Sequence, residues 1–212
     1  MTTTMITGKK HLLTLTGLLA ALLFTAQADQ EQLAKSIQEA RAETALTADQ
    51  LKATLSSLNA LSKQTKGDLR PAYTTFCADV AKTEGTANMT KARLQWMAGD
   101  GAKYFADWQK NVDGIANESL RKKAQKRLAS VKVSFGEVEE SLKTAGEKFK
   151  PFLSNLADVQ KSLAADITPG GVKAIGDVVS TANWDHKFVD RAINSALKQL
   201  KKMEDDLSSE KK

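Results

Sequence analysis

The amino-acid sequence predicts an all-α protein: an elongated antiparallel helical bundle or coiled coil of three to four long helices after a cleaved signal peptide. Three observations predict it. Apolar residues step strictly by four and three from Ala124 to Leu163. The whole chain of 212 residues holds three prolines, Pro71, Pro151 and Pro169. Its β-branched residues are scattered among Ala, Leu, Lys and Glu instead of alternating, which favours helix over strand.

Met1 to Ala28 read as a secretory leader. Lys9, Lys10 and His11 precede an uncharged apolar run from Leu12 to Phe24, and Thr25-Ala26-Gln27-Ala28 forms a small-x-small site with cleavage expected before Asp29. As a helix the apolar run reaches about 20 Å, short of the ~30 Å hydrocarbon core, so a cleaved leader is favoured over a membrane anchor. No cysteine follows the run to carry a lipid, and the mature protein is expected to be soluble.

A first helical segment covers residues 29–66, with Leu33, Ile37, Ala40, Leu51, Leu55, Leu58 and Leu61 near one face. Its middle, Thr44 to Asp49, is weak, and Thr47 could restart the helix as an N-cap. Gly67 and Asp68 break the pattern before Pro71, which suits a first helical turn. The second segment, about Pro71 to Val112, spaces Tyr73, Phe76, Val80, Ala87, Leu94, Met97, Phe105, Trp108 and Val112 helically. Gly85, Gly99 and Gly101 weaken it, which allows a break near Ala98 to Gly101. Gly114 suits a C-terminal cap and Asn117 the next N-cap.

The third segment carries the seam: Ala124, Leu128, Val131, Phe135, Val138, Leu142, Ala145, Phe149, Phe152, Leu156, Val159 and Leu163. In a chain that is 42% hydrophobic, independent draws fill those positions with a probability on the order of 10⁻⁵. A sustained seven-residue repeat keeps one stripe facing its partners along the helix, and Pro151 inside it should kink the helix. Ile167-Thr168-Pro169-Gly170-Gly171 is the clearest turn, with Thr168 as cap and Pro169 opening the fourth segment. That segment runs to about Leu207 with Ile175, Val179, Ala182, Val189, Ile193, Leu197, Leu200 and Met203 on one side; the polar run Asn183-Trp184-Asp185-His186 interrupts it beside an aromatic and reads equally as a surface recognition patch or as a local irregularity. Long helices joined by short loops must fold back antiparallel. Residues 67–212 are expected to form the bundle core, and the first segment is either a fourth member or a looser extension.

Charge and chemistry narrow the function. The chain carries +6, and loss of Lys9 and Lys10 with the leader leaves +4, too mildly basic to argue nucleic-acid binding. After the leader there is one histidine, His186, and one cysteine, Cys77, so no zinc site, calcium loop or other cofactor is expected. Cys77 with His186 is the one candidate nucleophile–base pair, on different helices and without a motif; a catalytic role is not expected. Cys77 reads better as a small buried hydrophobe than as an interchain disulfide. Gly99-Asp100-Gly101 lacks the pattern of a phosphate loop. Phe105 and Trp108 could stack a ligand, but aromatics at that spacing are more often core. The sharpest charge feature is Arg121, Lys122, Lys123, Lys126 and Arg127, near a helix N-terminus where the macrodipole disfavours cations. A charge run of this kind is more often a solvated helix face; where it has a partner, the candidates are anionic lipid, a lipopolysaccharide surface or an acidic protein face.

Tyr104-Phe105-Ala106-Asp107-Trp108, Ser119-Leu120-Arg121, Phe149-Lys150-Pro151-Phe152-Leu153 with Leu156 and Asp158, and Lys173-Ala174-Ile175 give residues from about Thr65 to Leu207 a resemblance to domain-of-unknown-function (DUF) family 2959, a set of bacterial envelope proteins. The chain departs from the family pattern at Ile167 to Gly171 and lacks the lipid-attachment cysteine of some members. The resemblance implies a helical, coiled-coil envelope protein and carries over no catalytic residues. The expected function is therefore an exported, non-enzymatic structural or protein-interaction role in the periplasm or outside the cell. It would act on an envelope protein or by self-association through helical seams. The alternative is a periplasmic holdase chaperone or an anionic-lipid-binding bundle.

Overall fold

The structure, a computed structural model, describes residues 12–208, with side chains from residue 27 onward. The basic start of the leader and the side chains of its apolar run lie outside the described residues. Five helices follow in order: α1 Leu12–Lys63, α2 Arg70–Asp113, α3 Glu118–Ala165, α4 Pro169–Ala174 and α5 Gly176–Ser208. No strand occurs among the described residues.

Local chemistry sets the helix ends. Gly67 takes a left-handed φ of 84°, and the Asp68 carboxylate accepts from the Arg70 amide at 3.0 Å, so the chain reverses just before Pro71 enters the first turn of α2. Gly114 closes α2 by donating its amide to the Lys110 carbonyl. Asn117 opens α3 by accepting from the Leu120 amide at 3.0 Å, and Thr168 opens α4 by accepting from the Gly171 amide at 3.2 Å.

Four long helices form a ring in which each packs on two neighbours: α1 on α2 and α5, α3 on α2 and α5. The first segment is thus a full fourth member. Its Leu33, Ile37, Leu51, Leu58 and Leu61 are fully buried. Ten of the twelve seam positions on α3 are buried, with Ala124 and Phe149 half-buried. Helix α3, with 48 residues, is about 72 Å long, and it stays one helix across Pro151, which faces solvent.

Three expected irregularities do not occur, each for a packing reason. α1 does not restart at Thr47: the Thr44 hydroxyl donates back to the Ala40 carbonyl at 2.7 Å and Thr47 bonds Thr90 at 2.9 Å, so both hydroxyls are satisfied inside a continuous helix. α2 does not break at Ala98 to Gly101, because the missing Cβ of Gly101 admits the Phe135 ring of α3 against the helix backbone. α5 is not interrupted at Asn183 to His186. Asn183 exchanges side-chain amide bonds with Asn59 of α1, and Asp185 accepts from Asn155 of α3 at 2.9 Å. The one break in the fourth segment falls at Ile175 instead, between α4 and α5.

The core has two lobes. One gathers Leu51, Leu58, Phe76, Phe152, Leu156 and Val172; the other gathers Leu33, Met97, Phe105, Phe135, Leu200 and Met203. Between Val80 and Met97, α2 buries only Thr83. Thr83 meets Thr54 of α1 at 2.7 Å, hydroxyl to hydroxyl, and Thr44 and Thr47 are buried nearby on α1. Thr54→Val should cost about 1–3 kcal/mol by stranding the Thr83 hydroxyl, whereas the double variant Thr54→Val, Thr83→Val should be nearly neutral. Urea unfolding of the two variants checks this; equal losses would refute a paired hydroxyl bridge.

Candidate functional site

The basic cluster sits on the first turns of α3, and the structure divides it. Arg121 is half-buried and its guanidinium donates to the Ile115 carbonyl at 3.1 Å, tying down the α2–α3 loop. Lys122 pairs with Glu118 at 2.7 Å, an exposed i,i+4 contact of little energetic weight. Arg127 donates to the Asp206 carbonyl at 3.4 Å, at the last turn of α5, where helix carbonyls lack intrahelical partners. Lys123 and Lys126 are exposed and have no ion partner among the described residues. The cations at an unfavourable helix end thus have, in three of five cases, an intramolecular use that charge spacing alone does not show.

Phe105 and Trp108 belong to the core rather than to a ligand platform. Tyr104 contacts the Phe105 and Trp108 rings at 5.3 and 5.5 Å, and Phe105 meets Phe135 of α3 edge-on at 5.4 Å.

Cys77 and His186 are not brought together: they stand on α2 and α5, the diagonal pair of the ring. Cys77 is a half-buried free thiol next to Tyr73. The Tyr73 phenol donates to the Gln160 carbonyl at 2.9 Å, and burial, with Cys77 adding to it, pushes its pKa up to about 12. His186 lies against the Phe152 ring, centroids 6.0 Å apart. Burial holds its pKa below the usual 6.5, with Lys52 acting in the same direction and Asp190 against it. The native state therefore prefers neutral imidazole. Its contribution to stability is fully present above pH 6.5 and is lost as pH falls through the lower folded value. A proton NMR titration should find His186 titrating below 6.5, and His186→Gln should remove that step from the acid side of the stability profile; a titration at or above 6.5 would contradict the burial argument.

A shallow groove of about 350 Å³ lies between α3 and α5. Glu137, Glu140, Ser141 and Thr144 line one bank, and Ala192, Ser195 and Gln199 the other. Small side chains on both helices leave the space. Trp184 and Phe188 continue the α5 bank and are exposed, with rings 5.4 Å apart. On the opposite side of the ring, α1 and α2 expose Leu46, Met89 and Trp96, with the Arg93 guanidinium 4.8 Å from the Trp96 ring and paired with Glu39 at 2.7 Å. Trp184 stands out in the residues as part of a possible surface patch; the other flank residues do not, because large apolar residues off the seam resemble ordinary scatter.

Among the described residues, no group of three or more His, Cys, Asp or Glu side chains is placed to hold a metal ion. Nor is any helix there long and apolar enough to cross a membrane. A family model described as protein of unknown function (DUF2959) matches residues 25–207. The match takes in α1 from residue 25 to its end at Lys63, so it extends beyond the resemblance read from Thr65 onward. No curated protein and no solved structure matches the chain.

Proposed function

This chain belongs to the DUF2959 family, and from that premise we propose that it is an exported, non-enzymatic helical bundle of the bacterial envelope that works by holding a protein partner against its flanks. The observation that carries the reading is the placement of large apolar side chains on those flanks. The seam of α3 is filled by its own neighbours, whereas Leu46, Met89 and Trp96 on one side and Val133, Trp184 and Phe188 on the other stay exposed on the bundle. Exposed apolar clusters rimmed by charge are a feature of interaction surfaces.

Site-specific photocrosslinking in intact cells tests the reading. A crosslinker at Met89 or Trp96 should give a discrete adduct that one at the exposed, polar Lys161 does not. Equal labelling from all three sites would defeat it. The export step is checked separately: protein recovered by osmotic shock should begin at Asp29, and a cytoplasmic chain still starting at Met1 would refute it.

Lys123 and Lys126 favour a second reading, a holdase or anionic-surface role centred on the start of α3. Replacement of Arg121, Lys122, Lys123, Lys126 and Arg127 by Gln should then abolish co-sedimentation with an unfolded outer-membrane protein or with anionic vesicles at low salt. Unchanged binding would eliminate this reading.

A further inference from the structure

We propose that the outer face of α5 around Trp184 and Phe188 pairs antiparallel with the same face of a second copy of this chain. The inference rests on the partner-holding reading and deepens it by naming the occupant of one flank. The seams are filled within each chain, so the contact runs through side chains that the bundle leaves outside. Trp184 is 59% exposed and Phe188 38% exposed, with their rings in T-shaped contact. They stand one helical turn apart, so a two-fold axis level with His186 sets each Trp184 against the partner's Phe188. Four rings are then covered at the centre of the contact, where aromatic anchors carry most of the binding energy.

The order of charges selects a second copy over an unrelated protein. Along the outer stripe of α5, Asp177 lies before the rings, and Arg191 and Lys198 lie beyond them; all three are exposed. None of the three has an ion-pair partner among the described residues. Reversal about His186 places Asp177 between the partner's Arg191 and the partner's Lys198, and the two-fold axis repeats the contact. Lys187 and Arg191 lie over the rings of their own helix, 5.3 Å from Trp184 and 5.6 Å from Phe188, which holds both cations at the rim of the ring cluster. On the edge toward α1, each Lys187 then stands, along the helix axis, between its own Asp190 and the partner's Asp190. Asp185 stays in the contact of α3 with α5, where it accepts from Asn155 at 2.9 Å.

The neighbouring helix carries the same order. The Asn155–Asp185 bond and the Lys202–Glu137 pair at 3.6 Å fix the antiparallel register of α3 and α5, which puts Ser154 level with His186. Glu147 and Lys148 precede Ser154, Asp158 and Lys161 follow it, and all four are exposed. A two-fold axis at that level sets Lys148 level with the partner's Asp158 and Glu147 level with the partner's Lys161. The charges of two different helices thus balance about one axis. The α1–α2 flank has no such arrangement, because Arg93 beside Trp96 is already paired with Glu39 at 2.7 Å. That flank stays outside the dimer, open to a different protein.

Sedimentation equilibrium of the purified protein tests the pairing. Wild type should show a reversible monomer–dimer equilibrium. Trp184→Ala with Phe188→Ala should weaken it at least about ten-fold. Asp177→Lys alone, and Arg191→Asp with Lys198→Asp, should each weaken it about ten-fold, and the three charge reversals together in one chain should restore it. All the substituted side chains are exposed, and circular dichroism verifies that each variant keeps its helices. A monomer at every concentration up to about 100 μM, a dimer indifferent to the ring substitutions, or a triple variant that stays weak would overturn the proposal. Photocrosslinking at Met89 separates this inference from the reading it deepens. A discrete Met89 adduct with a monomeric protein would defeat the second-copy inference alone, and loss of that adduct with the dimer intact would defeat the holding of a further partner alone.

Discussion

Phe152→Ala is expected to lower the free energy of unfolding by about 3–5 kcal/mol. The Phe152 side chain is 0% exposed, sits in the C-terminal half of the seam of α3 and belongs to the lobe that includes Phe76, Leu156 and Val189. Its ring lies 6.4 Å from Phe149 and 6.0 Å from His186. Truncation removes apolar surface from this lobe and leaves a cavity that the neighbouring helices cannot fill without moving the seam. Against a typical stability of about 5–15 kcal/mol the loss is large, and the melting temperature should fall by about 6–20 °C. The control is Val133→Ala on the same helix, where the side chain is 63% exposed and the change should stay within about 0.5 kcal/mol. Urea midpoints measured at unchanged slope compare the two. Equal shifts would mean that the seam is not the element that holds α3 in place.

Gly171→Ala is the second large effect, with an expected cost of about 3 kcal/mol. Gly171 is buried in the first turn of α4, and a Cβ there would run into the backbone carbonyl of Asp166, which caps the end of α3. Backbone cannot swing aside as a long side chain can, so the turn would have to open. The Thr168 cap on the Gly171 amide would be disturbed with it. Gly176→Ala, at the start of α5, meets nothing within 4 Å and should be neutral or mildly stabilising through helix propensity. Thermal melts of the two variants should therefore move in different directions. A neutral Gly171→Ala would show that α4 can leave its place without consequence for the bundle.

Much of this fold is legible without coordinates, and the legible parts share a cause. Asn117 and Thr168 cap helices because a short side-chain oxygen reaches an amide three residues ahead, a purely local fact. The stripe from Ala124 to Leu163 is readable because helical period is a property of one segment. What was misread is equally instructive. Thr44 and Thr47 look like a weakness in α1 because hydroxyls score as polar, yet they are buried and bonded once α2 lies alongside. Gly101 looks like a breaker until Phe135 of another helix occupies its missing side chain. The run Asn183 to His186 looks like an interruption, although Asn59 and Asn155 satisfy Asn183 and Asp185.

The candidate sites divide in the same way. Cation density near the start of α3 was visible in the residues, but the use of Arg121 by the Ile115 carbonyl and of Arg127 by the end of α5 depends on segments far apart in the chain. Trp184 is legible as part of a possible surface patch, but its exposed, edge-on pairing with Phe188 is seen only in the structure.

The sequence by itself determined that the chain is helical, where most helices begin and end, and which face of each is apolar, because caps, turns and helical period act within a few residues. Which helix stands beside which was decided only by the tertiary structure. So was which polar groups find partners across the core, and which apolar and cationic side chains remain on the flanks. An apolar stripe states that it must be covered but not by what, since burial of apolar surface has no direction and the identity of the neighbour emerges only when all four helices pack at once.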